Sequence, residues 1–275
     1  MTLGIDIGGT NVSLGLVRQG ALHHAFSAPS FPLEASLEET LESLSAHIRR
    51  IITPETRKIG IGVPSVVDVK EGIVYDTQNI PSWKEVPLKA YLEERFRIPV
   101  AVNNDANCYA LGIYAQYPEH ARPELLVAIT LGTGVGMGIV EEGRLFCGVN
   151  CGAGELGGLP YKDSVIEEYC GRHFFERNGW DSRQASAAAE AGDPKALALF
   201  DELGCNLGAL LCAVLFAYDP SHIAFGGGIA NNYRWFRGAM EAYLREHFPY
   251  RKALERLNVD IFTDNNIPVI GAALL

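Results

Sequence analysis

Asp6 is the only charged residue in the run Leu3-Gly4-Ile5-Asp6-Ile7, and Gly8-Gly9-Thr10-Asn11 follows it directly. A carboxylate in an apolar strand is unfavourable unless a cation or hydrogen-bond donors meet it, and a site for Mg²⁺ and phosphate provides that partner. Gly8 and Gly9 let backbone N–H groups approach phosphate oxygens closely, and Thr10 adds a hydroxyl. The alternative is a tight hairpin whose glycines serve turn geometry alone. Thr130 and Gly132-Thr133-Gly134-Val135-Gly136 make the same offer a second time, with no charged side chain in the way. Gly226-Gly227-Gly228, after a strand-like stretch, either lays bare backbone against an adenine or ribose or turns the chain from strand to helix.

Two further acids stand at places where chemistry is done. Asp105, in Val102-Asn103-Asn104-Asp105-Ala106-Asn107, follows a strand and opens a helix. There it is either a helix N-cap or a proton acceptor for a hydroxyl nucleophile. Glu155 lies alone among the small residues of Gly152-Ala153-Gly154-Glu155-Leu156-Gly157-Gly158, either solvated or aimed at a polar ligand.

Positioning these groups requires strands that end at them, and strand-like and helix-like segments do alternate along the whole chain, which is an α/β pattern. Leu3 to Ile7 and Val12 to Val17 read as strands joined by the first Gly-rich turn. Ser36, with Glu39 three residues on, caps a helix carrying Leu37, Leu41, Leu44, Ile48 and Ile51 at helical spacing. Strands are expected at Ile59 to Val63, Pro99 to Asn103 and His222 to Phe225. Helices are expected near Leu88 to Phe96, from Asp105, over Pro194 to Ala217 and over Tyr233 to His247. Gly4 to Thr10 resembles Ala128 to Gly134, each followed by an apolar second strand. This duplication implies two related α/β lobes with a cleft between them. The expected lobes are 1–117 and 118–261, with the apolar end 262–275 packing back on the first.

The net charge of −10 disfavours nucleic acid as a partner. With 48% hydrophobic and 20% charged residues the chain is a folded globular protein with a sizeable core. Its longest apolar stretch, Leu207 to Tyr218, falls short of the roughly 20 residues a membrane-crossing helix needs, so no membrane span is expected. Met1 to Asp6 has neither basic residues nor a signal-like apolar run, and the six cysteines form no C-x-x-C pair, so a cytoplasmic protein with reduced thiols is expected.

Taken in order, Asp6-Ile7-Gly8-Gly9-Thr10, Ile61-Gly62-Val63-Pro64, Asn104-Asp105-Ala106-Asn107, Leu131-Gly132-Thr133-Gly134-Val135-Gly136, Ala153-Gly154-Glu155-Leu156-Gly157 and Gly226-Gly227-Gly228 resemble the ROK family, within the sugar kinase, Hsc70 and actin-like superfamily. The resemblance implies two actin-like (ribonuclease H-like) lobes and ATP-dependent phosphorylation of a hexose or N-acetylhexosamine, usually at the 6-hydroxyl. It implies that Asp105 takes the hydroxyl proton and that Asn104, Glu155 and Glu167 hold the sugar, with Glu168 competing for the place of Glu167. Ser65 and Asn79 are assigned to the sugar as well. Asp6, Gly8, Gly9, Thr10, Asn11, Thr130, Gly132, Thr133, Gly134, Gly226, Gly227 and Gly228 are assigned to ATP, with Asp6 reaching Mg²⁺ through water. A homodimer is expected on the same ground.

One departure stands out. Many members have Glu-x-Gly-His followed by a cysteine-rich zinc loop, whereas here Gly158 takes the histidine's place and Leu159 to Ile166 holds no cysteine, so no structural zinc is expected. Cys147, Cys151, Cys170 and His173 are the one conceivable substitute set. The competing readings are a sugar-responsive repressor, for which no helix-turn-helix precedes Leu3, a noncatalytic sugar or nucleotide sensor, and an actin-like ATPase acting on a protein or acyl substrate. Asn104-Asp105 and Gly154-Glu155 offer the polar contacts of a polyol site and favour sugar.

Overall fold

The computed structural model describes residues 1–275. The chain opens with three antiparallel strands, β1 (Thr2–Ile7), β2 (Asn11–Arg18) and β3 (Ala21–Pro29). α1 (Leu37–Ile51) starts where the sequence places a cap: the Ser36 hydroxyl accepts the Glu39 N–H at 3.2 Å, and the Glu39 carboxylate accepts the Ser36 N–H at 2.8 Å. β4 (Lys58–Val63) returns parallel to β1. Three short strands, β5 (Val67–Asp68), β6 (Ile73–Tyr75) and β7 (Glu85–Val86), form a small sheet of their own. α2 (Leu88–Phe96) leads to β8 (Val100–Asn104), parallel to β4, and α3 (Asp105–Gln116) follows without a linker. The first sheet thus has the order β3-β2-β1-β4-β8. β3 has no apolar alternation, because it is an edge strand with mostly exposed residues, and only its pairing with β2 makes it a strand.

The second half repeats the opening with β9 (Leu125–Leu131), β10 (Val135–Glu141) and the short β11 (Arg144–Leu145). A two-stranded hairpin, β12 (Pro160–Tyr161) and β13 (Ser164–Val165), precedes α4 (Glu167–Cys170), α5 (Arg172–Arg177) and α6 (Ser182–Glu190). α7 (Pro194–Tyr218) is capped by the Asp193 side chain and starts with proline, the residue that fits a first helical position. β14 (His222–Gly226), α8 (Tyr233–His247), α9 (Arg251–Arg256), β15 (Asn258–Ile261) and α10 (Ile267–Leu274) complete the chain. The second sheet has the order β11-β10-β9-β14-β15. By length and composition α7 is apolar enough to cross a bilayer. Its residues from Ala196 to Leu215 are nevertheless largely buried inside the protein, and bare Gly204 brings it against α8, so it is built as a core helix.

Contacts gather the chain into two compact units, Met1–Arg122 with Gly138–Ala153 and Asp264–Leu275, and Pro123–Met137 with Gly154–Thr263. Set against the lobes expected from sequence, the boundaries move to include 118–122 in the first unit and 262–263 in the second, and 138–153 belongs with the first unit. Gly138 is the reason. A Cβ there would lie 2.5 Å from the Ala106 carbonyl oxygen and 2.7 Å from the Ala110 Cβ, so this strand residue sits directly on α3, a closeness that no linear pattern announces.

α10 lies in the first unit, with Ile267, Val269, Ala272 and Ala273 buried. It approaches strands and α3 through residues without side chains. A Cβ at Gly60 would stand 1.8 Å from the Ala272 carbonyl oxygen, at Gly4 2.0 Å from that of Val269, and at Gly271 1.7 Å from that of Cys108. No rotamer change relieves a clash with backbone, so Gly60→Ala and Gly271→Ala should each lose about 3 kcal/mol or more in urea unfolding. Gly238, inside α8 with open space around it, is the control: Gly238→Ala should gain up to about 1 kcal/mol.

Candidate active site

In the first unit, parallel pairing aligns Asp6 of β1 with Gly62 of β4, and Gly62 with Asn103 of β8. Gly62 keeps the middle of this row bare. A Cβ there would lie 3.4 Å from the Asp105 Cα and 3.1 Å from the Cys108 sulfur, so the start of α3 packs closely onto the strand at this bare residue. Asp6 consequently shares its surroundings with Asp105. Removal from water, and secondly the Asp105 carboxylate, push the Asp6 carboxyl up to about 7.

Asp105 itself is not the helix cap. That place is taken by Asn104, whose side-chain oxygen accepts the N–H groups of Ala106 at 2.9 Å and Asn107 at 3.3 Å, while Asp105 is the first helical residue. The Ala106 N–H is also 2.8 Å from an Asp105 carboxylate oxygen. Asn104 Nδ2 donates to the Ser65 carbonyl at 3.3 Å, which leaves one amide N–H of Asn104 for a ligand. The Ser65 hydroxyl donates to the Tyr75 carbonyl, so toward a ligand it can only accept. Asn79 is exposed beside the first turn, its Nδ2 3.0 Å from where a Gly9 Cβ would be.

The first turn is a hairpin closed by the Gly8 N–H on the Asn11 carbonyl at 2.9 Å. Neither Gly8 nor Gly9 takes a positive φ, but a Cβ on Gly8 would lie 3.1 Å from the Asn11 carbonyl oxygen, a tight contact within the hairpin itself. Thr10 and Asn11 are exposed.

In the second unit, Thr130 donates its hydroxyl to the Gly136 carbonyl at 3.3 Å, bracing the Gly132–Gly136 turn. The Arg172 N–H reaches the Gly132 carbonyl at 2.9 Å, and a Cβ on Gly171 would lie 2.8 Å from the Thr133 carbonyl oxygen, so the start of α5 rests on that turn. Glu167 rests there too, with Oε2 2.6 Å from the place of a Gly134 Cβ. Burial, and secondly the Glu167 carboxylate, raise the pKa of Glu155. Glu168 is engaged elsewhere, 2.9 Å from His173 Nδ1. A Cβ at Gly132 or Gly228 would meet no atom within 4 Å, whereas one at Gly227, where φ is +82°, would strike the Leu131 carbonyl. Of the Gly226–Gly228 run, Gly227 is therefore a turn glycine and Gly228 leaves open surface.

Sequence reasoning overlooked three buried asparagines. Asn103 on β8 and Asn107 on α3 join the Asn104 cap, with Asn107 Nδ2 donating to Asn103 Oδ1 at 3.0 Å and the Asn104 N–H donating to the same oxygen at 2.8 Å. Asn206, polar on apolar α7, donates to the Tyr169 carbonyl at 3.1 Å and accepts from Tyr161 Oη at 3.1 Å and Lys162 Nζ at 2.8 Å. It ties α4, and with it Glu167, to the long helix. For Asn206 the signal is an amide on an apolar helix; for Asn103 and Asn107 it is amides clustered where a strand runs into a helix.

No three His, Cys, Asp or Glu side chains gather as a metal cluster. Within their own units, His173 pairs with Glu168, and the Cys147 and Cys151 thiols face Asn103 and Asn107.

The ROK family model matches residues 2–174 and 176–275. A glucokinase of Halalkalibacterium halodurans is 30% identical, with 83% of this chain and 80% of that protein covered. An N-acetyl-D-glucosamine kinase of Vibrio vulnificus is 31% identical over 84% and 85% of the two chains. A ROK family glucokinase from Streptomyces griseus, solved in complex with glucose and AMPPNP, superposes with a TM-score of 0.81 at 26% identity, covering 99% of this chain and 97% of the other. The ordered Gly-rich turns, the α/β units that carry them and these likenesses agree: the chain belongs to the ROK family and has the actin-like fold of its sugar kinases.

Proposed function

We propose that the protein transfers the γ-phosphoryl group of ATP to a hydroxyl, the 6-OH, of a hexose or N-acetylhexosamine. The observation that carries this reading is Asp105 on the first turn of α3, held there by Asn104 in the same unit as Asp6 and the Gly8–Thr10 turn. Phosphoryl transfer needs positioning and charge stabilisation more than covalent chemistry. In this reading Asp105 orients the hydroxyl and accepts its proton, and the free amide N–H of Asn104, with Ser65, Asn79, Glu155 and Glu167, holds the sugar. Backbone N–H groups of both Gly-rich turns, with Thr10, Asn11, Thr130 and Thr133, receive the phosphates. Gly226, Gly227 and Gly228 border the nucleoside.

Asp6 fits Mg²⁺, through water, by the chemistry of its surroundings: a hard oxygen donor removed from bulk water and beside a second carboxylate has both influences against its ionised form, which a divalent cation would reverse. The cation, when bound, neutralises charge on the phosphates.

Three outcomes follow from these assignments. In an ADP-release assay over hexoses, hexosamines and N-acetylhexosamines, Asp105→Asn should lower kcat by about 10²- to 10⁴-fold on whichever sugar turns over. An unchanged rate removes Asp105 from the role, and no turnover on any sugar favours the sensor reading. Glu167→Gln should raise the sugar KM by about 10- to 100-fold, the scale of a hydrogen bond to a charged group, while Glu168→Gln leaves it within about threefold. The reverse order exchanges the two acids.

The third outcome concerns pH. The ordinary value for Asp6 is 3.8 and its folded value is about 7, so the native protein holds a proton that the unfolded chain has released. Without Mg²⁺, stability should fall as pH rises from about 4 to about 7 and level off above. Asp6→Asn should remove that contribution, being more stable than wild type by roughly 2 to 4 kcal/mol at about pH 8 and indistinguishable below about pH 4, as read from urea midpoints.

A further inference from the structure

Two thiols with no part in the proposed phosphoryl transfer touch the residues that hold the start of α3. Asn107 Nδ2 is 3.6 Å from the sulfur of Cys147 and 3.6 Å from that of Cys151. Asn103 Oδ1 is 3.9 Å from the first sulfur and 3.3 Å from the second. Both sulfurs therefore converge on one amide pair. The loop between them is closed by the Ala153 N–H on the Cys147 carbonyl at 3.1 Å, and Gly148 at φ +71° helps it turn back. Cys151 takes φ +57°, a left-handed conformation uncommon for a residue with a side chain, which marks this turn as held by its surroundings. The loop tip is open to solvent, with Val149 100% exposed, and Cys147 is only half-buried while Cys151 is buried. Asn107 Oδ1 has no hydrogen-bond partner, so the polar cluster is not saturated even with both thiols reduced.

We propose that Cys147 and Cys151 form a reversible redox site, which hydrogen peroxide converts to a disulfide that disturbs the Asn103–Asn104 support of Asp105 and lowers activity. Its pairing with Cys151 pulls the Cys147 thiol down to about 7, and the same pairing, then burial, raises Cys151, so Cys147 is the attacking thiolate and Cys151 the resolving thiol. The thiolate attacks one peroxide oxygen; the O–O bond breaks, Cys147 becomes a sulfenic acid and hydroxide leaves. The Cys151 thiol then attacks that sulfur; the S–S bond forms, the S–O bond breaks, and the departing oxygen takes the Cys151 proton as water. Hydroxide is neutralised by the proton Cys147 had released. In total two thiols are oxidised and one peroxide is reduced to two waters.

The consequence reaches Asp105 by a short route. Once the disulfide forms, Cys151 no longer donates to Asn103 Oδ1, the oxygen that also accepts the Asn104 N–H at 2.8 Å and the Asn107 amide at 3.0 Å. Asn104 is the cap that sets Asp105. Of the other cysteines, Cys108, Cys170 and Cys212 are buried and Cys205 is exposed.

The activity readout rests on the sugar kinase reading; the chemistry at the thiols does not. The full-length protein is treated with hydrogen peroxide, quenched, and compared with the reduced protein and with a sample re-reduced by dithiothreitol. Two free thiols should disappear, peptide mapping should find Cys147 joined to Cys151, and kcat/KM for the sugar should fall about tenfold, the scale of one hydrogen bond, and recover on re-reduction. Cys147→Ser should keep the reduced activity and become insensitive to peroxide, and Cys151→Ser should stop at a sulfenic acid that dimedone traps. An unchanged thiol count, a cross-link other than Cys147–Cys151, an oxidised protein of undiminished kcat/KM, or equal inactivation of Cys147→Ser overturns the proposal. If the reduced protein phosphorylates no sugar, the kinase reading fails on that result alone; a mapped, reversible Cys147–Cys151 disulfide still supports the redox site, and its absence still overturns it.

Discussion

The side-chain oxygen of Asn104 accepts two backbone N–H groups of α3, and the geometry of the first unit's candidate site depends on that arrangement. A strand and a helix meet here with no residue between them, so the first turn of the helix would present orphan N–H groups unless a neighbour supplied acceptors. Asn104 supplies them from an extended backbone, and Asn103 in turn accepts the Asn104 N–H. Two adjacent amides thereby hold three consecutive stretches of backbone, and Asp105 is left on the first helical turn, where a carboxylate is electrostatically favoured. Had Asp105 been the cap, its oxygens would be committed to the helix. Asn104 takes that place, and Asp105 begins the helix with one carboxylate oxygen 2.8 Å from the Ala106 N–H.

Glycine does two different jobs in this protein, and separating them decides what the Gly-rich motifs mean. Gly4, Gly60, Gly112 and Gly271 are bare because backbone from another element lies within about 2 Å of where their Cβ atoms would be. They let α10 and α3 lie directly against each other and against the strands that carry Asp6. At Gly132 and Gly228 neither space nor φ calls for glycine. Their backbone is left open, the property that the phosphate contacts proposed above would use.

The second unit solves a similar problem through a buried amide on an apolar helix. Asn206 joins the α4 backbone to the β12–β13 hairpin, where Lys162 Nζ lies 4.6 Å from the centre of the Tyr169 ring and the Arg177 guanidinium lies 4.5 Å from it. A hairpin this short has little core of its own, and polar and cation–π contacts hold it to the helices instead. Glu167, two residues before Tyr169, inherits its position from this clasp and from the bare Cα of Gly134.

Local pattern was enough for much of this architecture. The capping box at Ser36, the helices over Leu88 to Phe96 and Tyr233 to His247, and the strand, glycine turn, strand unit that occurs twice are short-range consequences of periodicity and capping, and they follow from residues that are neighbours in the chain. The ordered motifs likewise pointed to the family. Tertiary structure alone decided that residues 138–153 join the first unit, that β3 is a strand, that Asn104 and not Asp105 caps α3, and that two distant cysteines meet Asn103 and Asn107. Each of these depends on which groups approach through space, and a hydrogen bond or a missing Cβ acts over a few ångströms irrespective of how many residues separate its partners.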